Sequence, residues 1–202
     1  MSISRRALIK SCVALPFIPY AYAASADEQY SDPVAADEWI IKRKQETLHA
    51  VVNPLQLGRF ADRYYYLTKE INWKPNPGQA PSSVQVSVGF VTDFASIPRA
   101  FWVALPTDGE YAYAAVIHDY LYWEQTTSRE EADLILKYAM QDFGIGTAKI
   151  MTIYGAVRAA GWAAWNENAK LKTAGEKRIL RKYPEEPTTK WTDWKKKEDV
   201  FA

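Results

Sequence analysis

Thiol chemistry is almost excluded from this chain, because it has a single cysteine, Cys12. One thiol closes no intramolecular disulfide, so stability has to come from a packed core. Histidine is scarce as well, with only His49 and His118. A zinc site built from His and Cys is therefore poorly supplied, and oxygen is the better-stocked ligand type. An excess of one charge is also missing: 25 Lys and Arg stand against 24 Asp and Glu. That balance leaves no electrostatic footprint for nucleic acid. The apolar stretch from Ser11 to Ala24 is too short to span a bilayer comfortably. The sequence has no internal repeat and no low-complexity segment.

That apolar stretch lies in a leader. Ser4-Arg5-Arg6-Ala7-Leu8-Ile9-Lys10 resembles a twin-arginine export motif, and Ala21-Tyr22-Ala23 and Ala24-Ser25-Ala26 offer small residues for cleavage. Residues 1–26 are thus expected to be a signal peptide, and the mature protein periplasmic or secreted. Export removes Cys12, which suits a protein that folds without disulfides before it crosses the membrane. Removing the leader's three basic residues leaves 22 basic against 24 acidic. Residues 27–172 are long enough for a single domain with its own core. Residues 173–202 read as a basic, Trp-containing tail, irregular in pattern, with Trp191 and Trp194 as the residues able to dock it back on the body. Residues 170–202 hold 10 basic and 6 acidic residues, against 12 and 18 in residues 27–169. This end of the chain is either a solvated basic tail or a peripheral contact with an anionic membrane or cell wall.

The coarse pattern is α+β: a small antiparallel sheet followed by three helices. Ala35 to about His49 reads as a helix. Phe60 to Trp73, rich in aromatics at Tyr64, Tyr65 and Tyr66, reads as a strand or hairpin arm. Lys74-Pro75-Asn76-Pro77-Gly78 is a turn. Val84, Val86 and Val88 alternate with Gln85 and Ser87, a strand with one wet face that Gly89-Phe90-Val91 continues. Thr92 to Ile97 is a loop, with Pro98 placed to start a short helix. Asp108 is a candidate cap for the helix from Glu110 to about Trp123. Ser128 and Glu131 form a capping box for a second helix, closed by Gly144 and Gly146. Thr147 to about Ala169 is the third, in which Trp162 and Trp165 read as packing residues.

Chemistry concentrates on the first two of these helices. In Ala114-Ala115-Val116-Ile117-His118-Asp119-Tyr120-Leu121-Tyr122, His118 and Tyr122 are four apart and share a face. Asp119 points about 100° away and is expected to serve a different partner. The short link from Trp123 to Thr127 makes the helices an antiparallel hairpin, across which Asp133 is expected to face His118 or Tyr122. A histidine with one ring nitrogen held by a carboxylate is oriented to act as a base through the other. Asp93, in the loop, adds a carboxylate that, with Asp119 and nearby backbone carbonyls, makes an oxygen-rich site of the kind calcium takes. His49 reads as a helix-end group, where a protonated imidazole is favourable, and Arg99 in the loop is open between contact with an anionic group and a surface salt bridge.

Two resemblances rest on these residues. Gly89-Phe90 through Thr92-Asp93-Phe94-Ala95-Ser96-Ile97-Pro98-Arg99, with His118 to Tyr122 and Ala132-Asp133, resembles a family of uncharacterised bacterial and phage proteins. The shorter pattern Ala-x-x-His-Asp-x-x-Tyr, followed by Ala-Asp on the next helix, resembles the catalytic helix pair of secreted, viral and bacterial phospholipases A2. That likeness implies His118 as the general base, Asp133 orienting it and Tyr122 supporting both. It also implies calcium held by Asp119, Asp93 and the carbonyl of Phe94. The glycine-rich calcium loop of the animal enzymes is missing here, and Ile117 stands where most of them have a cysteine. The functional expectation is an exported hydrolase acting on a lipid or cell-envelope substrate, a calcium-dependent phospholipase A2-like esterase. The alternatives are a metal-assisted peptidoglycan hydrolase and a non-catalytic envelope or phage-derived module with a structural His-Asp network. The oligomeric state is not legible.

Overall fold

A computed structural model describes residues 34, 38, 51–52, 54–94 and 111–202. The leader, the helix expected from Ala35 to His49 apart from Glu38, and the Ala95–Glu110 segment, with Arg99, Trp102 and Asp108, lie outside the described residues. The chain divides into Met1–Lys42 and Arg43–Ala202, and everything below concerns the second unit.

The architecture is α+β. Six short strands come first: β1 (Val51–Val52), β2 (Leu57–Arg59), β3 (Tyr65–Leu67), β4 (Ile71–Trp73), β5 (Val84–Val86) and β6 (Val91–Thr92). They form two antiparallel three-stranded sheets, in the orders β1-β4-β5 and β2-β3-β6. The aromatic run from Phe60 to Trp73 is therefore not one strand. It breaks after Leu67 into β3 and β4, which belong to different sheets.

The strand expected to run from Val84 through Val91 also breaks. β5 ends at Val86, Val88 is exposed, and Gly89 turns the chain with φ of +84°. That positive φ suits glycine and sends Val91–Thr92 to the second sheet. A second requirement acts at the same residue. A Cβ on Gly89 would lie 2.1 Å from the carbonyl oxygen of Leu180.

Leu180 belongs to the segment after Thr173, which is built into the fold. Val91 N–H donates to Arg178 O at 2.8 Å and Leu180 N–H to Gly89 O at 2.9 Å. Leu180 then bridges Phe201, extending the β2-β3-β6 sheet by two short antiparallel stretches. Phe60, Tyr66, Val91, Leu180, Trp191, Val200 and Phe201 form an apolar cluster of their own beneath this extension. Asp62 fixes the short helix α4 (Trp191–Trp194) by accepting from Trp191 N–H at 2.8 Å.

Three longer helices carry the rest: α1 (Ala112–Glu124), α2 (Arg129–Asp142) and α3 (Thr147–Thr173). Every residue of α1 from Ala114 to Asp119 is buried, because the helix packs against both other helices and against β5 and β6. α2 starts as its sequence indicates, with Ser128 Oγ accepting from Glu131 N–H at 3.1 Å. The far end of α2 is tied to the β4–β5 turn through Asp142, which accepts from Trp73, Asn76 and Gln79.

α3 runs one turn further than its apolar pattern suggests, and its extra length has a role. The last carbonyls of a helix lack intrahelical partners. Those of α1 are satisfied from α3: Asn168 donates to Tyr122 O, and Lys172 to Trp123 O and Glu124 O. Gln125, in the left-handed conformation at the α1 C-cap, donates to Trp165 O at 2.7 Å. Trp165 packs edge-on against Tyr122, whereas Trp162 points outward and is 59% exposed. The reading of Trp162 as a packing residue is therefore corrected. Residue 162 lies about 100° around the helix from Gly161, off the Val157–Gly161 face that meets α1 and α2.

Candidate functional site

The α1–α2 hairpin brings the paired residues together. His118 Nε2 lies 2.9 Å from Asp133 Oδ1, and both side chains are fully buried. Tyr122, one turn after His118, donates its hydroxyl to the same Asp133 oxygen at 2.6 Å. The His118 and Tyr122 rings are in contact, with centroids 4.1 Å apart. The i,i+4 spacing puts both groups on one face of α1, and the antiparallel return of α2 puts one carboxylate opposite both.

The other carboxylate oxygen is held by two arginines. Arg129 Nη1 donates to Asp133 Oδ2 at 3.0 Å from one turn earlier on α2. Arg158 Nη1 donates to the same oxygen at 2.7 Å from α3. Arg158 also reaches Glu130 at 3.1 Å. Sequence reasoning missed both arginines. Arg129 was findable, because it lies four residues before Asp133 on the same helical face. Arg158 carried the weaker signal of a lone cation on the inner edge of an apolar helix.

Burial by itself would push the Asp133 carboxyl up. The hydrogen bonds from His118 and Tyr122, and the Arg158 contact, outweigh it and hold the group below the usual carboxylate value. Tyr122 moves in the opposite direction. Burial, the Asp133 hydrogen bond and the Asp133 charge all raise its hydroxyl far above the ordinary phenol range. The pair is thus a carboxylate and a neutral phenol, which suits an acceptor taking up four donors. Such a buried anion is stable only because its lone pairs are met.

Space around Tyr122 is made by a glycine. A Cβ on Gly161 would lie 2.3 Å from the Tyr122 hydroxyl, so α3 comes this close only with glycine there.

Asp119 serves a separate partner, as its direction on α1 implies. Its carboxylate accepts from the Thr92 hydroxyl, which in turn accepts from Phe94 N–H at 3.1 Å. Phe94 is buried in the left-handed conformation, with φ of +56°. The relay pins the turn after β6 onto α1, next to His118 in sequence. Asp93 lies in this turn, close enough to Tyr64 for its charge to help raise the Tyr64 hydroxyl, after burial. Among the described residues no three His, Cys, Asp or Glu side chains converge as a metal ion would need. A cation here would take most of its oxygens from carbonyls and water.

What the described residues build is a buried His-Asp network, charge-balanced by arginines, with a second carboxylate one residue away facing a loop. No helix among the described residues is long and apolar enough to cross a membrane. No curated protein and no solved structure matches the chain. Residues 67–157 match a protein-family model described as "Protein of unknown function (DUF1353)", a span that holds His118, Tyr122, Arg129 and Asp133 and stops one residue short of Arg158.

Proposed function

We propose that this chain is an exported hydrolase in which His118 activates water for attack on a phospholipid ester, in the manner of phospholipases A2. The observation that carries the reading is the single oxygen of Asp133 that receives both His118 Nε2 and the Tyr122 hydroxyl. The likeness to the phospholipase helix pair rests on these residues themselves. With the ring held by Asp133, the His118 imidazole is the base that takes a proton from water as the water oxygen attacks the ester carbonyl. That proton then passes to the departing alkoxide. Asp133 orients the ring, and Tyr122, protonated throughout, steadies the carboxylate.

In this reading Asp119, Asp93 and the Phe94 carbonyl are the donors offered to calcium, which when bound would stabilise charge developing on the ester oxygen. The Asp119–Thr92–Phe94 relay sets Asp119 against the turn that carries Asp93. Lipid or cell-envelope substrate and a periplasmic or secreted location belong to the same proposal.

A second reading is favoured by one observation. Asp133 is satisfied from all three helices, by His118 and Tyr122 on α1, Arg129 on α2 and Arg158 on α3. That is the arrangement of a network whose task is to hold helices together. Fatty-acid release from phospholipid vesicles, measured with calcium and with chelator, separates the two. Calcium-dependent release lost in folded His118→Ala supports the enzyme. No release in either condition leaves the structural network.

A further inference from the structure

We propose that the outer face of α3 is a self-association surface, on which a second copy of this chain docks with its own α3 antiparallel. The inner face of the helix is occupied by α1 and α2. On the outer face Met151, Thr152, Gly155, Ala159, Trp162 and Ala163 are exposed and uncharged, with the alanine at 160 beside them; Arg158, 30% exposed, stands at one edge with its guanidinium committed to Asp133 and Glu130. Met151 is 52% and Trp162 59% exposed, so this is not the solvated face that long polar side chains usually cover.

Gly155 adds an independent observation. A glycine inside a helix costs stability and calls for a reason. Gly161 has one in Tyr122, but a Cβ on Gly155 would meet nothing within 4 Å. Nothing in its own chain requires Gly155 to be bare. The close approach of a second helix backbone would supply the reason.

The face is also self-complementary in one register. An antiparallel pair centred on residue 157 sets Gly155 against Ala159 of the second copy, Met151 against Ala163 and Trp162 against Thr152. Each large side chain thus meets a small one, as close helix packing requires. Charges bound the face at its two ends. Lys149 and Glu167 lie on the same flank, both exposed, and the antiparallel register brings Lys149 of one copy beside Glu167 of the other. Within its own helix Glu167 has only a 3.9 Å approach to Lys170. This pairing of opposite charges selects a second copy over an anionic lipid surface, which would repel Glu167. The contact is about 27 Å long at 1.5 Å per residue, at the small end of specific interfaces, so the dimer is a weak, micromolar one.

Sedimentation velocity of the full chain over a concentration series, up to about 200 µM, tests this. The expected result is a monomer–dimer equilibrium that Ala159→Glu abolishes. Lys149→Glu and Glu167→Lys should each weaken the dimer about tenfold, by replacing attraction with repulsion in two symmetric pairs, and the double variant should restore it. Because all these positions are exposed, a retained cooperative melt will show that each variant folds. A chain that stays monomeric throughout overturns the proposal, whether or not it pellets with phosphatidylglycerol vesicles. So does a dimer indifferent to Ala159→Glu, or one that the double charge reversal fails to restore.

Discussion

The hydroxyl oxygen of Tyr122, on α1, lies 2.3 Å from where a Cβ on Gly161, on α3, would stand. That contact lets the third helix close over the His-Asp pair. Gly161→Ala should therefore destabilise the protein by about 1–3 kcal/mol, the cost of overpacking a filled core. Gly155→Ala, on the same helix with open space around it, should stabilise the monomer by up to about 1 kcal/mol. Chemical denaturation of the two variants at low protein concentration checks both signs. Equal effects would mean that Tyr122 does not seat against α3.

Asp133 links stability to pH. Its carboxyl sits below the ordinary value of 3.8, so the unfolded chain binds its proton first as pH falls. Its contribution is complete above that ordinary value and is lost as pH drops through the lower folded value. Asp133→Asn should cost about 3 kcal/mol at neutral pH, because two guanidiniums lose their counter-charge. It should also flatten the acid limb of the stability curve. Denaturation midpoints from pH 7 down to about 2.5 read this directly. A variant with the wild-type acid slope would show that the network does not titrate as a folded unit.

Gly89 carries the C-terminal segment. Gly89→Val would introduce both a strained left-handed backbone and a clash with the Leu180 carbonyl. The expected cost is about 1–3 kcal/mol, with loss of amide protection at Leu180 and Arg181. Hydrogen exchange resolved by residue tests it. Unchanged protection across residues 178–202 would contradict the role given to Gly89.

The helical half of this fold was easier to read than the sheets, for physical reasons. The helices have lengths over which a 3.6-residue period repeats, and the Ser128–Glu131 box is a local signal. The same periodicity placed His118, Tyr122 and Asp133 around one point and sent Asp119 elsewhere. Strands of two or three residues leave no room for a period of two to repeat. The valine alternation therefore ran past the turn at Gly89 that ends it. Arg158 escaped because its partner lies 25 residues away, and only the packing of α3 brings them together. In the basic C-terminal segment Trp191 and Trp194 were legible as docking residues, whereas net charge masked Leu180 and Phe201, which the sheet extension recruits.

The central claim is that His118 does chemistry beyond filling a buried hydrogen bond. The most direct test is phospholipid hydrolysis in calcium by the wild-type protein and by His118→Asn, with the thermal unfolding of each recorded alongside. The account predicts hydrolysis by the wild type and a loss of about 10²-fold or more in a variant that still unfolds cooperatively. No hydrolysis by the wild type, or an equal rate in the variant, would contradict it.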